Sequence, residues 1–129
     1  MSTLSIISVI DDDASVRAAT NNLLRSHGYT VYTFASAEEF LRSAQLNDTS
    51  CVIADVQMPV MSGVELLTLM RAQGHRVPFI FITAFPEESV RARVLKAGAM
   101  GFLAKPFAGP TLIDCLATAL DEHRGGAGS

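Results

Sequence analysis

Several features are missing from this chain, and each absence closes a class of function. No apolar run in the 129 residues reaches the length needed to cross a bilayer. The opening MSTLSII has neither the basic region nor the long apolar stretch of a secretory signal, so nothing here suggests export and a cytoplasmic address is the expectation. There are two cysteines, Cys51 in an expected strand and Cys115 in an expected helix, and this placement reads as two small apolar residues rather than a disulfide framework. The positive residues are scattered and the formal net charge is -3, which argues against a binder of phosphate backbones. No recognition-helix module is legible either, so specific DNA binding by these residues is not expected.

What remains is material for one core. Hydrophobic residues make up 49% of the chain and charged residues 18%, enough to fill the interior of a single domain. Strand-length apolar runs recur at SIISVI, TVYTF, SCVIA, PFIFIT and MGFLA, each followed by a segment with helical spacing. The first helix is expected after Asp13, burying Val16, Thr20, Leu23, Leu24 and His27 on one stripe and stopping at Gly28. Ser36 with Glu39, and Ser62 with Glu65, give two capping-box patterns at helix starts. Gly74 and Gly98 fall where the third and fourth helices should stop. Pro110 suits the first turn of a fifth helix carrying Leu112, Ile113, Leu116 and Leu120, and the terminal GGAGS reads as flexible.

Strands rich in Ile and Val that alternate with helices imply an α/β fold with a parallel sheet covered on both faces. Sites in such sheets form beyond the C-terminal ends of the strands. That rule nominates Asp11, Asp12 and Asp13 after the first strand, Asp55 after the third, Thr83 at the end of the fourth and Lys105 after the fifth. Singly, each has an ordinary reading: Asp13 as a helix N-cap, Asp11, Asp12 and Asp55 as turn residues, Thr83 as a strand residue, Lys105 as a solvated cation. Together they demand more. Clustered carboxylates repel by about 4 kcal/mol per pair at 4 Å and an effective dielectric constant near 20, so they need cations. A hard divalent ion with oxygen ligands is one, magnesium being the best fit, and Lys105 is another. With no cysteine or histidine in the set, phosphoryl transfer suits it better than zinc hydrolysis. His27, His75 and His123 read as surface or packing residues.

The ordered motifs IDDD, ADVQMPVMSG, FIT and FLAKPF closely resemble the receiver domains of two-component response regulators. The likeness runs from about Ser5 to Glu122, and SAEEFL, MSGVEL and KAGA are most similar to the receivers of the FixJ group. It implies a receiver domain over residues 1–122 with 123–129 as a tail or linker start, and a flavodoxin-like (βα)5 fold with sheet order 2-1-3-4-5. It further implies Asp55 as phosphoacceptor from a histidine kinase or phosphotransfer protein. Asp11, Asp12, Asp55 and the Gln57 backbone carbonyl would hold Mg2+. Lys105 would contact the phosphoryl group, Thr83 would turn toward it, and Phe102 would rotate with Thr83. The Lys105-Pro106 bond is implied to be cis. The surface of the fourth helix and fifth strand, with Arg91, Arg93 and Lys96 on that helix, would carry the switched output and a phosphorylation-dependent homodimer. The sequence departs from the pattern at Gln57, where relatives often carry arginine, and at Phe85-Pro86, where small or polar residues are usual. Phe85 reads as a screen against water, as part of a binding surface, or as simple loop packing.

Two other functions remain open on the residues. One is a magnesium-dependent phosphatase or phosphotransferase for small molecules. Enzymes of the haloacid-dehalogenase type, however, place their nucleophile after the first strand in an Asp-x-Asp pattern. The other is a degenerate receiver that binds a partner without being phosphorylated.

Overall fold

The computed structural model describes the backbone of residues 5–128 and the side chains of residues 5–121. Five strands, β1 (Ile6–Ile10), β2 (Thr30–Phe34), β3 (Cys51–Asp55), β4 (Phe79–Thr83) and β5 (Gly101–Ala104), form one parallel sheet in the order β2-β1-β3-β4-β5. Helices α1 (Ala14–Ser26), α2 (Ala37–Leu41), α3 (Gly63–Ala72), α4 (Glu88–Lys96) and α5 (Gly109–Gly128) alternate with them. The expected α/β class and sheet order are both found. The boundary expected at 122/123 and the GGAGS end lie beyond the described side chains, and among the described residues no helix is long and apolar enough to cross a membrane.

Buried strands divide their side chains by parity, because successive residues of a strand face opposite sides. Cys51, Ile53, Ile80 and Ile82 enter the core shared with α1 and α5, through Leu24, Leu112, Leu116 and Leu120. Val52, Ala54, Phe79 and Phe81 enter the core shared with α2, α3 and α4, through Phe40, Leu66, Met70 and Val94. A central strand buried on both faces therefore shows no polar alternation, as the VIA and IFI runs do not.

Helix boundaries follow the cap chemistry. Ser62 accepts from the Glu65 N–H at 3.1 Å and Glu65 accepts from the Ser62 N–H at 2.8 Å, closing a full capping box. At α2 the box opens: Ser36 accepts from Glu39 N–H, but Glu39 Oε1 reaches one residue further back, to the N–H of Ala35, at 2.8 Å. Gly28, Gly74 and Gly98 take φ of +89°, +89° and +108° just past the helix ends, where a side chain would be strained. One expectation fails. His27 is exposed rather than part of the α1 stripe, because the helix stops at Ser26 and His27 becomes its C-cap. Its ring lies 3.1 Å from the Leu23 carbonyl instead of in the core. Cys51 and Cys115 are free thiols, and burial pushes the Cys51 thiol pKa up.

Candidate functional site

Asp55 is the last residue of β3, the middle strand, and is paired in register with Ile82 of β4. It is 6% exposed, and one carboxylate oxygen, Oδ1, accepts the Gln57 backbone N–H at 3.1 Å. The other, Oδ2, accepts from Lys105 Nζ at 2.8 Å. Lys105 arrives there because its own N–H donates to the Thr83 carbonyl at 2.8 Å, continuing the β4–β5 ladder one residue past Ala104. The peptide bond that follows, Lys105-Pro106, is cis.

Asp11 follows β1 and is completely buried. Each of its groups is held by a different segment. Its N–H donates to the Phe34 carbonyl at 3.1 Å, its carbonyl accepts from Arg17 Nη1 at 2.6 Å, and Oδ1 accepts the Asp13 N–H at 2.9 Å. Oδ2 meets the Lys105 ammonium at 2.9 Å as an ion contact outside hydrogen-bond alignment and is otherwise without a donor. Asp12 is exposed beside it, and ligand oxygens of Asp11, Asp12 and Asp55 all lie within 4.8 Å of one another. Asp13 stands outside this set: Oδ1 accepts from Ser15 and Val16, which makes it the N-cap of α1.

The electrostatics follow. Burial is the main force raising the Asp11 pKa, and the nearby Asp55 charge adds to it, while the Asp13 N–H and Lys105 oppose it. Burial also presses on the Lys105 ammonium, yet its contacts with Asp55 and Asp11 outweigh that and its pKa is raised. At separations up to 4.8 Å each carboxylate pair repels by about 3–4 kcal/mol at an effective dielectric constant near 20, and one lysine cannot neutralise three carboxylates. The donor set is oxygen only, partly open to solvent through Asp12, with the Asp11 Oδ2 lone pairs unused by hydrogen bonds. These features fit a hard divalent cation.

Thr83 closes β4, fully buried, with its side chain on the α3–α4 side by strand parity. Its hydroxyl accepts the Phe85 backbone N–H at 2.9 Å and is thus engaged with the loop ahead of α4. Phe102 pairs with Phe81 in register and packs, half-buried, against the α2–α3–α4 core. Arg91, Arg93 and Lys96 are exposed on α4.

Sequence reasoning brought Asp11, Asp12, Asp55 and Lys105 together, as found. It missed Arg17, whose reach back to the Asp11 carbonyl crosses six residues and leaves no local signal. It also missed the constraint at Gly63. A Cβ there would collide with the Asp55 carbonyl oxygen and come within 2.7 Å of the Phe81 ring, so the start of α3 lies directly against β3. The MSG motif was the available clue.

Comparison with known proteins gives a consistent picture. The family model of the response regulator receiver domain matches residues 7–117. Nodulation protein W of Bradyrhizobium diazoefficiens is 38% identical over 123 residues, 95% of this chain and 54% of that protein. The transcriptional regulatory protein FixJ of the same organism is 37% identical over 122 residues, 95% of this chain and 60% of that protein. The chain thus spans a little over half the length of these relatives. The crystal structure of FixJ-N superposes with a TM-score of 0.83 at 32% identity, covering 94% of this chain and 96% of that one. The CheY-like receiver domain protein from Methanospirillum hungatei JF-1 gives a TM-score of 0.86 at 27% identity, covering 96% and 99%.

Proposed function

This chain belongs to the response-regulator receiver family, and on that premise we propose that it serves two-component phosphorelay signalling with Asp55 as the side chain that takes the phosphoryl group. The observation that carries the reading is the bridge made by Lys105 Nζ, 2.8 Å from Asp55 and 2.9 Å from Asp11, beside a third carboxylate. A site so arranged presents a fixed cation next to the acceptor and gathers more carboxylates than that cation neutralises.

In the transfer, an Asp55 carboxylate oxygen forms a bond to phosphorus as the bond from phosphorus to the donor nitrogen breaks in line behind it. The leaving nitrogen keeps the bonding pair. The Gln57 N–H fixes Oδ1 and the Lys105 ammonium stays beside the reacting centre to meet charge on the phosphoryl oxygens. Asp11, Asp12, Asp55 and the Gln57 carbonyl are the residues that would hold Mg2+, which when bound supplies the further positive charge that the phosphoryl oxygens need. Hydrolysis of the acyl phosphate by water restores the carboxylate, so the chain acts as a phosphoacceptor that assists its own loading and unloading, not as a catalyst of small-molecule turnover.

The donor is a sensor histidine kinase or phosphotransfer protein. Output runs through Thr83 and Phe102 to the α4–β5 surface, where Arg91, Arg93 and Lys96 are available to a phosphorylation-dependent second copy. Residues 1–122 form the receiver unit and residues 123–129 begin a tail or linker. A cytoplasmic address and no specific DNA contact by these residues complete the reading. Acetyl phosphate with magnesium should add one phosphoryl mass to the intact chain, and Asp55→Asn should abolish it. Stable phosphorylation of Asp55→Asn to the wild-type extent would show the acceptor to be another residue.

A further inference from the structure

We propose that Arg17 is a positioning residue for the magnesium site: by holding the Asp11 carbonyl it fixes the peptide ahead of Asp12, and so sets how tightly the three aspartates bind the ion. The proposal rests on Asp11, Asp12 and Asp55 being the metal carboxylates. In this role Arg17 touches neither the ion nor the phosphoryl group.

Of the three carboxylates, Asp12 is the one that packing leaves free. Asp11 is completely buried and Asp55 closes the central strand, so the core and the sheet hold both. Asp12 lies between the end of β1 and the start of α1 and is exposed, so neither a ladder nor burial holds it. It is fixed instead by the peptide on either side. The one after it is tied by the Asp13 N–H, which donates to Asp11 Oδ1 at 2.9 Å. The one before it is tied by Arg17 Nη1, which donates to the Asp11 carbonyl at 2.6 Å. Because a peptide group is rigid and planar, a bond to one of its atoms orients the whole unit. With both units held, the backbone at Asp12 is set, and a carboxylate oxygen is delivered within 4.8 Å of those of Asp11 and Asp55. Loss of Arg17 removes one of the two restraints.

The bond that Arg17 makes separates geometry from charge. Arg17 is the fourth residue of α1, near the helix end where the dipole disfavours a cation. Asp11, Asp12 and Asp13 all precede it, yet among the described residues the ion pairs are those of Lys105 with Asp11 and Asp55, and Arg17 donates to a neutral carbonyl instead. Its own N–H donates to the Asp13 carbonyl at 3.0 Å, so one residue grips both ends of the acidic run. A guanidinium that served only as a counter-charge would pair with a carboxylate. One that clamps the backbone behind the ligands controls where they stand.

Charge and geometry predict opposite signs. By Coulomb's law alone, removing a positive charge near a dication tightens its binding, whereas freeing Asp12 weakens it. The test titrates the full chain, Arg17→Met and Arg17→Lys with magnesium chloride, followed by calorimetry and by the amide shifts of residues 11–13 and 55–57. Arg17→Met should bind the ion about tenfold more weakly, the lower end of what loss of a group behind the ligands costs. Arg17→Lys keeps an N–H donor of nearly the same reach and should recover at least half of that loss on a logarithmic scale. Loading by acetyl phosphate should divide in the same way. The magnesium concentration giving half the maximal rate should rise about tenfold in Arg17→Met, while the rate at saturating magnesium stays within about twofold of wild type. Arg17→Gln, neutral and too short to reach the carbonyl, gives the same reading should Arg17→Met fail to fold. The proposal is overturned if Arg17→Met binds magnesium as tightly as wild type or more tightly, if its loading stays slow at saturating magnesium, or if Arg17→Lys binds no better than Arg17→Met. If wild type itself binds no magnesium, the assignment of the three aspartates falls and the proposal with it.

Discussion

The backbone N–H of Phe85 donates to Thr83 Oγ1 at 2.9 Å, so the hydroxyl expected to respond to phosphorylation is already tied to the loop that leads into α4. For Thr83 to meet a phosphoryl oxygen, that tie has to be exchanged for a new one, and the loop has to follow. Beryllofluoride with magnesium should shift amide signals across residues 84–104 in the wild type. In Thr83→Ala the acceptor remains while the coupling hydroxyl is gone. Loading by acetyl phosphate should persist, and the shifts on α4 and β5 should fall to less than about half. A full response from Thr83→Ala would exclude this route.

Lys105 should make the fold sensitive to alkaline pH. Its pKa is raised in the folded protein, so its stabilising contribution is complete below the ordinary lysine value of 10.5 and is lost as pH rises through the folded value. Lys105→Met should cost about 1–3 kcal/mol at pH 7 without magnesium, because two carboxylates lose their cation. Urea titrations at increasing pH above 10.5 should show the two proteins converging; a constant gap would refute the ion-pair account.

For Asp11 the sign is opposite. A carboxyl whose pKa is raised on folding weakens the fold wherever it is ionised, and the cost disappears as pH falls through the folded value toward 3.8. Without magnesium at pH 7, Asp11→Asn should therefore be more stable than wild type, with the advantage fading in acid. With magnesium the order should reverse, since the wild type gains from binding and the variant has lost a ligand. Thermal scans with and without the ion give both readings.

Gly63→Ala should be among the costliest single-methyl additions in the chain. The new Cβ would strike the Asp55 carbonyl oxygen and sit 2.7 Å from the Phe81 ring, so either α3 retreats or β3 shifts. A loss of about 2–4 kcal/mol in urea unfolding is expected, together with slower loading by acetyl phosphate. Unchanged stability would show that α3 can move away freely.

Much of this was legible from the residues. Alternating apolar runs gave the layers, and one rule about strand ends collected Asp11, Asp12, Asp55, Thr83 and Lys105 before any likeness was invoked. Cap chemistry located α3 through Ser62 and Glu65 because both halves of that interaction are local. What stayed hidden was non-local or contrary to preference. His27 fits the stripe of Thr20 and Leu24 by spacing alone, but periodicity does not say where the helix ends. Val60 has a positive φ that nothing in valine's own chemistry suggests. Arg17 and Gly63 act on the Asp11 and Asp55 carbonyls six and eight residues back along the chain, and backbone carbonyls carry no sequence identity.

The parity of the central strands has a further effect. Asp55 continues the series Cys51 and Ile53 on the α1–α5 side, whereas Thr83 continues Phe79 and Phe81 on the α3–α4 side. If Asp55 takes the phosphoryl group and Thr83 answers it, as proposed, the two side chains start from opposite faces of one sheet, tied at its rim where Lys105 N–H holds the Thr83 carbonyl. The same geometry makes the length of β4 unforgiving. Adding or deleting one residue there would turn Thr83 to the wrong face, leaving a domain able to accept phosphate and unable to report it.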